Sequence, residues 1–127
     1  MKETKYFVLS LALFLSLAGF TSFAHGQTQT GKQTARLVVS FYSICCGINQ
    51  KAQAELDKFI RRYEKTKHKQ LAKTAVSWGR EGEIDYCLKL SELSPREQKR
   101  FISQVRLLLK KSKLVRINEN AVCQSGR

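Results

Sequence analysis

Four cysteines are the residues whose chemistry most constrains this chain of 127 residues. Cys45 and Cys46 are adjacent, whereas Cys87 and Cys123 are isolated in the sequence. An even number of cysteines in a small domain points first to disulfide bonds if the compartment is oxidising. A bond between Cys45 and Cys46 would strain the peptide that joins them. We therefore expect one or both of them to pair with Cys87 or Cys123, and the connectivity stays open.

Histidines and carboxylates offer weaker candidates for catalysis. A cysteine nucleophile needs a base within hydrogen-bond reach, and the sequence offers only His25, in a polar leader, and His68, among lysines. The acidic residues Glu81, Glu83 and Asp85 fall on one predicted hairpin, where we expect them to be solvated. The sequence therefore predicts a non-enzymatic protein with no catalytic residues and no cofactor.

The first 24 residues have the order of a secretory signal peptide. Lys2 and Lys5 precede an apolar run over 6–20, which is followed by a small-x-small site that ends at Ala24. The run is shorter than the roughly 20 apolar residues that span a membrane. We predict a signal peptide at 1–24 that is cleaved after Ala24, a flexible leader at 25–34 and one domain at 35–127. The mature protein is then secreted or periplasmic, without a membrane span.

The chain carries a strong excess of positive charge, before and after removal of the predicted signal peptide. The chain has 23 basic and 10 acidic residues, and removing Lys2, Lys5 and Glu3 leaves 21 minus 9, or +12. Such a charge attracts anionic partners, here an anionic surface, a polysaccharide or a protein. Nucleic acid is not expected as the partner of an exported protein. The candidate anion-binding residues share the second predicted helix: Arg96, Lys99, Arg100, Arg106, Lys110 and Lys111.

Residue patterning predicts six elements after the leader. Residues 35–44 are apolar and β-branched, as in a central strand, and a helical apolar spacing begins after Asn49, which can cap it. Two β segments, 74–78 and 83–90, flank a glycine-containing reversal. Ser94, Pro95 and Glu97 form the signature of a capping box that opens a second helix. A last strand is predicted over 114–118, followed by a tail with Cys123.

The order β-α-β-β-α-β predicts an α+β domain of the ferredoxin-like arrangement, with both helices on one face of an antiparallel sheet. If 74–90 were one bent strand, a three-stranded layer would result instead. Alternation in 83–90 places Ile84, Tyr86, Leu88 and Leu90 on the helix-facing side. The other side then meets water or a partner. The second helix is expected to bury Phe101, Ile102, Val105, Leu108 and Leu109.

Two functions of different classes fit these patterns. The first is a disulfide-stabilised, exported binding module whose basic helix face engages an anionic partner. The second is a periplasmic thiol-redox or metal-binding protein that uses Cys45 and Cys46, since amides at a helix N-terminus can activate a nearby thiol. In position, the cysteine pair resembles the metal loop of small heavy-metal-associated domains. Those domains separate the two cysteines by two residues, so no metal site is assigned to the adjacent pair here.

Overall fold

The structure, a computed structural model, describes residues 34–124. The predicted signal peptide, and the leader up to residue 33, lie outside the described residues. The six predicted elements are present in the predicted order: β1 Thr34–Phe41, α1 Gln50–Lys67, β2 Lys73–Ser77, β3 Ile84–Leu88, α2 Pro95–Leu109 and β4 Val115–Val122.

The strands form one antiparallel sheet in the order β2-β3-β1-β4. The pairing of β2 with β3 confirms the hairpin and excludes the three-stranded alternative. Side chains of both helices share one core with Leu37, Val39 and Phe41 of β1 and with Tyr86 and Leu88 of β3. Both helices therefore cover the same face of the sheet, and the ferredoxin-like arrangement is confirmed.

Helix α1 begins where the sequence predicts, after Asn49. The Asn49 side chain accepts a hydrogen bond from the backbone N–H of Ala52 at 3.0 Å, which satisfies one of the free amides of the first turn. His68 ends the helix in the left-handed conformation, with φ of 51°. The helix buries Ala52, Leu56, Ile60 and Tyr63, which are spaced as one face of a helix.

A polar network ties α1 to the β2–β3 hairpin. The Tyr86 hydroxyl donates to Asp57 Oδ2 at 3.0 Å, and Lys73 Nζ on β2 donates to Asp57 Oδ1 at 2.7 Å. The Lys73 ammonium also lies 4.1 Å from the centre of the Tyr86 ring. These contacts fix the helix over the sheet edge while using both carboxylate oxygens of Asp57.

Helix α2 opens with the predicted capping box. The Ser94 hydroxyl accepts from the Glu97 N–H, and the Glu97 carboxylate accepts from the Ser94 N–H at 3.0 Å. The helix buries Phe101, Ile102, Val105 and Leu109. The prediction that Leu108 points inward is wrong, because its position on the helix turns it towards solvent beside α1, where it is 37% exposed.

The face of the sheet away from the helices is more buried than the sequence indicates. Cys87 and Cys123 form a disulfide with a Cα–Cα distance of 5.9 Å, and they pack with Ala35 and Val38 in a second small cluster. Asp85 is 1% exposed and accepts hydrogen bonds from the Trp78 indole at 2.9 Å and the Gln124 N–H at 3.4 Å. The expectation that this face meets water or a partner is therefore wrong at Asp85 and Cys87, which the chain itself covers.

Strand β4 continues to Val122 instead of ending at Asn118, so Cys123 directly follows a strand and does not lie in a free tail. The expected pairing of Cys45 or Cys46 with Cys87 or Cys123 is also wrong, because the two later cysteines pair with each other and leave Cys45 and Cys46 as free thiols. A disulfide bond is typical of proteins from an oxidising compartment. Within residues 34–124, neither helix has the length and apolar content needed to cross a membrane.

Loss of the disulfide should destabilise the fold. The bond closes a loop with a sequence separation of 36, and the chain-entropy model assigns about 4 kcal/mol to a loop of that size. We expect the double variant Cys87→Ala/Cys123→Ala to lower the free energy of unfolding in urea by about 3 to 4 kcal/mol. A Cys45→Ala/Cys46→Ala variant is the matched control and should unfold like the unmodified protein.

The capping box should make stability depend on acid. Hydrogen bonds from the backbone and hydroxyl of Ser94, helped by Lys69, lower the pKa of Glu97 to about 2. An unfolded glutamate titrates near 4.3, at about its unperturbed pKa. The stabilisation is therefore complete above that pH and is lost as the pH falls towards 2.

Unfolding of the unmodified protein and of Glu97→Gln should be compared in urea at neutral pH and at pH near 3. We expect the gap between the two free energies to narrow in acid, because protonation removes the charge that the substitution also removes. A gap that stays constant with pH would contradict this role of Glu97.

Candidate functional site

Five of the six predicted anion-binding residues are exposed and have no acidic partner among residues 34–124. Within residues 34–124, no carboxylate lies within 4 Å of the charged groups of five of them: Arg96, Lys99, Arg100, Lys110 and Lys111. Arg106 differs, because its Nη2 atom donates to Glu119 Oε1 at 3.0 Å. The structure therefore makes Arg106 part of an ion pair between α2 and β4.

Helix α1 supplies cations that the sequence reasoning missed. Its exposed side includes Lys51, Lys58, Arg61, Arg62 and Lys65, all of which lie away from the buried stripe of the helix. The helical spacing of these residues was a usable signal, since the apolar stripe already predicted which side faces water. Because both helices cover the same face of the sheet, we define the cationic helix layer as these five residues together with Arg96, Lys99, Arg100, Lys110 and Lys111.

Acidic residues are almost absent from this layer because the fold uses them elsewhere. Residues 34–124 contain nine acidic side chains, and all except Glu55 accept a hydrogen bond from another part of the fold. Glu64 receives the Leu71 N–H at 2.9 Å, and Glu92 receives the Ala72 N–H at 3.1 Å. Glu119 accepts from two arginines, which lower its pKa. The outward surface of the helices is left with one acid among ten bases.

A groove runs between the two helices of this layer. One hollow in it, of about 290 Å³, is lined by Phe59, Arg62, Tyr63, Thr66, Lys67, Arg100 and Gln104. A second hollow shares Phe59 and Arg62 with the first and is also lined by Glu55, Lys58 and Leu108. A third is lined by Asn49, Lys51, Ala52, Glu55, Leu108, Lys111 and Ser112. The groove thus has an apolar floor and mainly basic sides, and Glu55 is the acidic residue among the residues that line these three hollows. Its span from Lys51 to Lys67 along α1 is roughly 24 Å at the helical rise.

The two free thiols lie in a different place, on the loop between β1 and α1. Cys45 and Cys46 are both exposed, and Cys46 and Gly47 have positive φ values of 68° and 98°. Glu81, from the β2–β3 turn, holds this loop because its Oε2 atom accepts from the Ser43 hydroxyl at 2.5 Å and the Gly47 N–H at 3.5 Å. A carboxylate is therefore fixed beside the thiols.

The surroundings of Cys46 do not favour a thiolate. A hydrogen bond with Cys45 raises the pKa of Cys46, and desolvation and the charge of Glu81 raise it further. These influences oppose the expected activation of a thiol by the amides at the N-terminus of α1. The helix also begins only at Gln50, after the cysteines. His68 ends the same helix, which at 18 residues separates it from the loop by roughly 27 Å. Within residues 34–124, no histidine lies beside the cysteines, and this part of the chain contains no group of three or more potential metal ligands.

The carboxylates of the hairpin are structural groups. Glu83 is buried and accepts the Glu81 N–H at 2.8 Å. Its carboxylate fills the space beside Gly79 that a side chain at that position would occupy. The expectation that Glu83 and Asp85 are solvated is wrong, because both are buried acceptors that hold the turn and the end of β4.

The cationic helix layer with its groove is the larger candidate site, and the thiol loop is the smaller one. Both lie on a fold that many unrelated proteins share, so the fold itself does not identify a function. The chain matches no protein-family model, no curated protein and no solved structure.

Proposed function

We propose that the protein is an exported, non-enzymatic binding module whose cationic helix layer engages an anionic partner. The observation that carries this proposal is the separation of charge. Eight of nine acidic side chains in residues 34–124 are held by hydrogen bonds within the fold, whereas ten basic side chains of one layer extend into solvent. A surface of one sign attracts the opposite charge over long range and speeds association.

Export is supported by two independent features. The basic start, short apolar run and small-x-small site of residues 1–24 are the pattern of a cleaved signal peptide. The Cys87–Cys123 disulfide is the kind of bond that persists in an oxidising compartment. In that compartment, the available anionic partners are acidic polysaccharides, membrane surfaces and acidic proteins, in line with the partner classes expected from the charge.

Charge reversal on the helices should weaken binding to a model polyanion. The test variant is Arg100→Glu/Lys110→Glu/Lys111→Glu, which avoids Arg106 because that residue pairs with Glu119. On a heparin column, we expect this variant to elute at roughly half the salt concentration of the unmodified protein, because salt screens an attraction that depends on the number of facing charges.

The matched control changes the net charge equally at other exposed positions. The control positions lie outside the helix layer: Arg80 is in the β2–β3 turn, Lys89 follows β3 and Arg116 is on β4. Their reversal to glutamate should shift elution much less than the helix variant does. Equal shifts for the two triple variants would show that net charge alone governs retention, and the assignment to the helix layer would be wrong.

The thiol loop supports a second candidate function, the binding or exchange of thiol-reactive groups. The observation in its favour is that Cys45 and Cys46 are exposed and unpaired although the other two cysteines are oxidised. Two neighbouring thiols are soft ligands of the kind that cuprous ion prefers. This function would be independent of the helix layer, because the loop contributes no residue to it.

Alkylation tests whether the loop is available. Iodoacetamide applied to the folded, unreduced protein should add two groups, at Cys45 and Cys46, and reduction under denaturing conditions should reveal two more thiols. The alkylatable protein is then titrated anaerobically with cuprous ion against a competing chromophoric chelator. Withdrawal of copper by the unmodified protein, and not by Cys45→Ser/Cys46→Ser, would support this function. Thiols that resist alkylation would eliminate it.

A further inference from the structure

An exposed leucine lies on the cationic face of α2, in the last turn of the helix. Leu107 is 74% exposed, on the side of the helix opposite the buried residues Val105 and Leu109. Its neighbour Leu108 is 37% exposed and lines the groove beside Phe59. The exposed apolar surface therefore extends from Leu107, on the outward side of α2, to Leu108 and Phe59 in the groove.

Basic residues surround this leucine in a definite arrangement. At 100° per residue, Arg96, Arg100 and Lys110 project within about 60° of Leu107 around the helix axis. Lys111 lies beside Leu108 at the end of the groove. Arg106, which points towards β4, is paired with Glu119, a carboxylate that it shares with Arg36. Basic residues that have no acidic partner among residues 34–124 thus flank Leu107 on both sides, along most of the length of α2.

This combination distinguishes among anionic partners. Acidic polysaccharides and nucleic acids present charge, but they offer no apolar phase into which an exposed leucine could be buried. An anionic lipid surface offers both, because leucine enters the boundary between head groups and acyl chains while basic side chains reach the phosphates from the same helix face. Helices that bind in this way have an apolar centre with lysine and arginine at the border.

We propose that the partner of the cationic helix layer is an anionic lipid surface, with α2 lying along it and Leu107 inserted at the level of the head groups. This inference rests on the proposed function and narrows it to one class of partner. The cations of α1 lie in the same layer, so they face the same surface and add to the attraction. Each basic residue near such a surface should contribute roughly a fivefold increase in partitioning.

Vesicle binding tests the inference with single substitutions on the exposed surface. The full chain is expressed in cells, and the protein that they release is purified. It is mixed with vesicles of phosphatidylcholine containing phosphatidylglycerol and with vesicles of phosphatidylcholine alone. Bound protein is measured by sedimentation. We expect binding to the first vesicles only, and a loss of about tenfold for Leu107→Ser, because the substitution removes the apolar group that enters the lipid. Leu107→Trp should bind at least as tightly as the unmodified protein.

Val122→Ser is the matched control. Val122 is also an exposed apolar residue, 45% exposed, but it lies at the far end of β4, opposite Thr34. Strand β4 runs eight residues, or roughly 25 Å, from Val115, shortly after the end of α2, to Val122. The control should not change vesicle binding. All variants carry the same N-terminus, so differences among them do not depend on residues 1–24.

Retention on heparin distinguishes a failure of the lipid inference from a failure of the proposed function. Leu107→Ser should elute from heparin like the unmodified protein, since it changes no charge. Unchanged vesicle binding by Leu107→Ser, or retention on heparin without any binding to vesicles, would overturn the lipid inference and leave the anionic binding module in place. Failure to bind either heparin or anionic vesicles would overturn both.

Discussion

Burial of both faces of β1 is the constraint on which the rest of this structure depends. Leu37, Val39 and Phe41 lie under the two helices, while Val38 and Ser40 on the opposite face are also buried. A strand with neighbours on both edges and cover on both faces has no surface for a ligand. Strand β1 itself therefore offers no site, and the cationic layer and the free thiols lie on the outward sides of the helices and on a connecting loop.

The same requirement for satisfied backbone groups explains why the charges are separated. Loops that leave the sheet must pair their amides, and acidic side chains serve as acceptors for them, as Glu64 does for Leu71 and Glu92 for Ala72. Lysine and arginine have no acceptor to offer these amides, and their long stems allow the charge to stay in water. Folding thus ties most acidic side chains to amides and other donors of the fold and leaves basic side chains extended into water, so the helix layer is more strongly basic than composition alone implies.

Local patterns were sufficient for much of the fold. The capping box at Ser94 and Glu97, the cap at Asn49 and the apolar spacing of α1 depend on residues within a few positions of one another, and all are confirmed. The second face of the sheet was harder to predict. Alternation placed Asp85 and Cys87 correctly on the face away from the helices, but it carried no information that the end of β4 and Trp78 cover them. Leu108 shows the opposite error, since it was predicted to be buried and lines a surface groove. Helical spacing does not distinguish these two places for an apolar residue at the edge of the buried stripe.

The amino-acid sequence alone is enough for the order of the elements, the starts of both helices, the excess of basic residues and the identity of most core residues. Those features arise from interactions along one helix or one strand and from composition. The three-dimensional fold was needed to establish that Cys87 pairs with Cys123, that Arg106 pairs with Glu119 and that Arg36 shares the same carboxylate. These outcomes depend on which residues meet across the sheet or between helices, and spacing along the chain does not fix such distances.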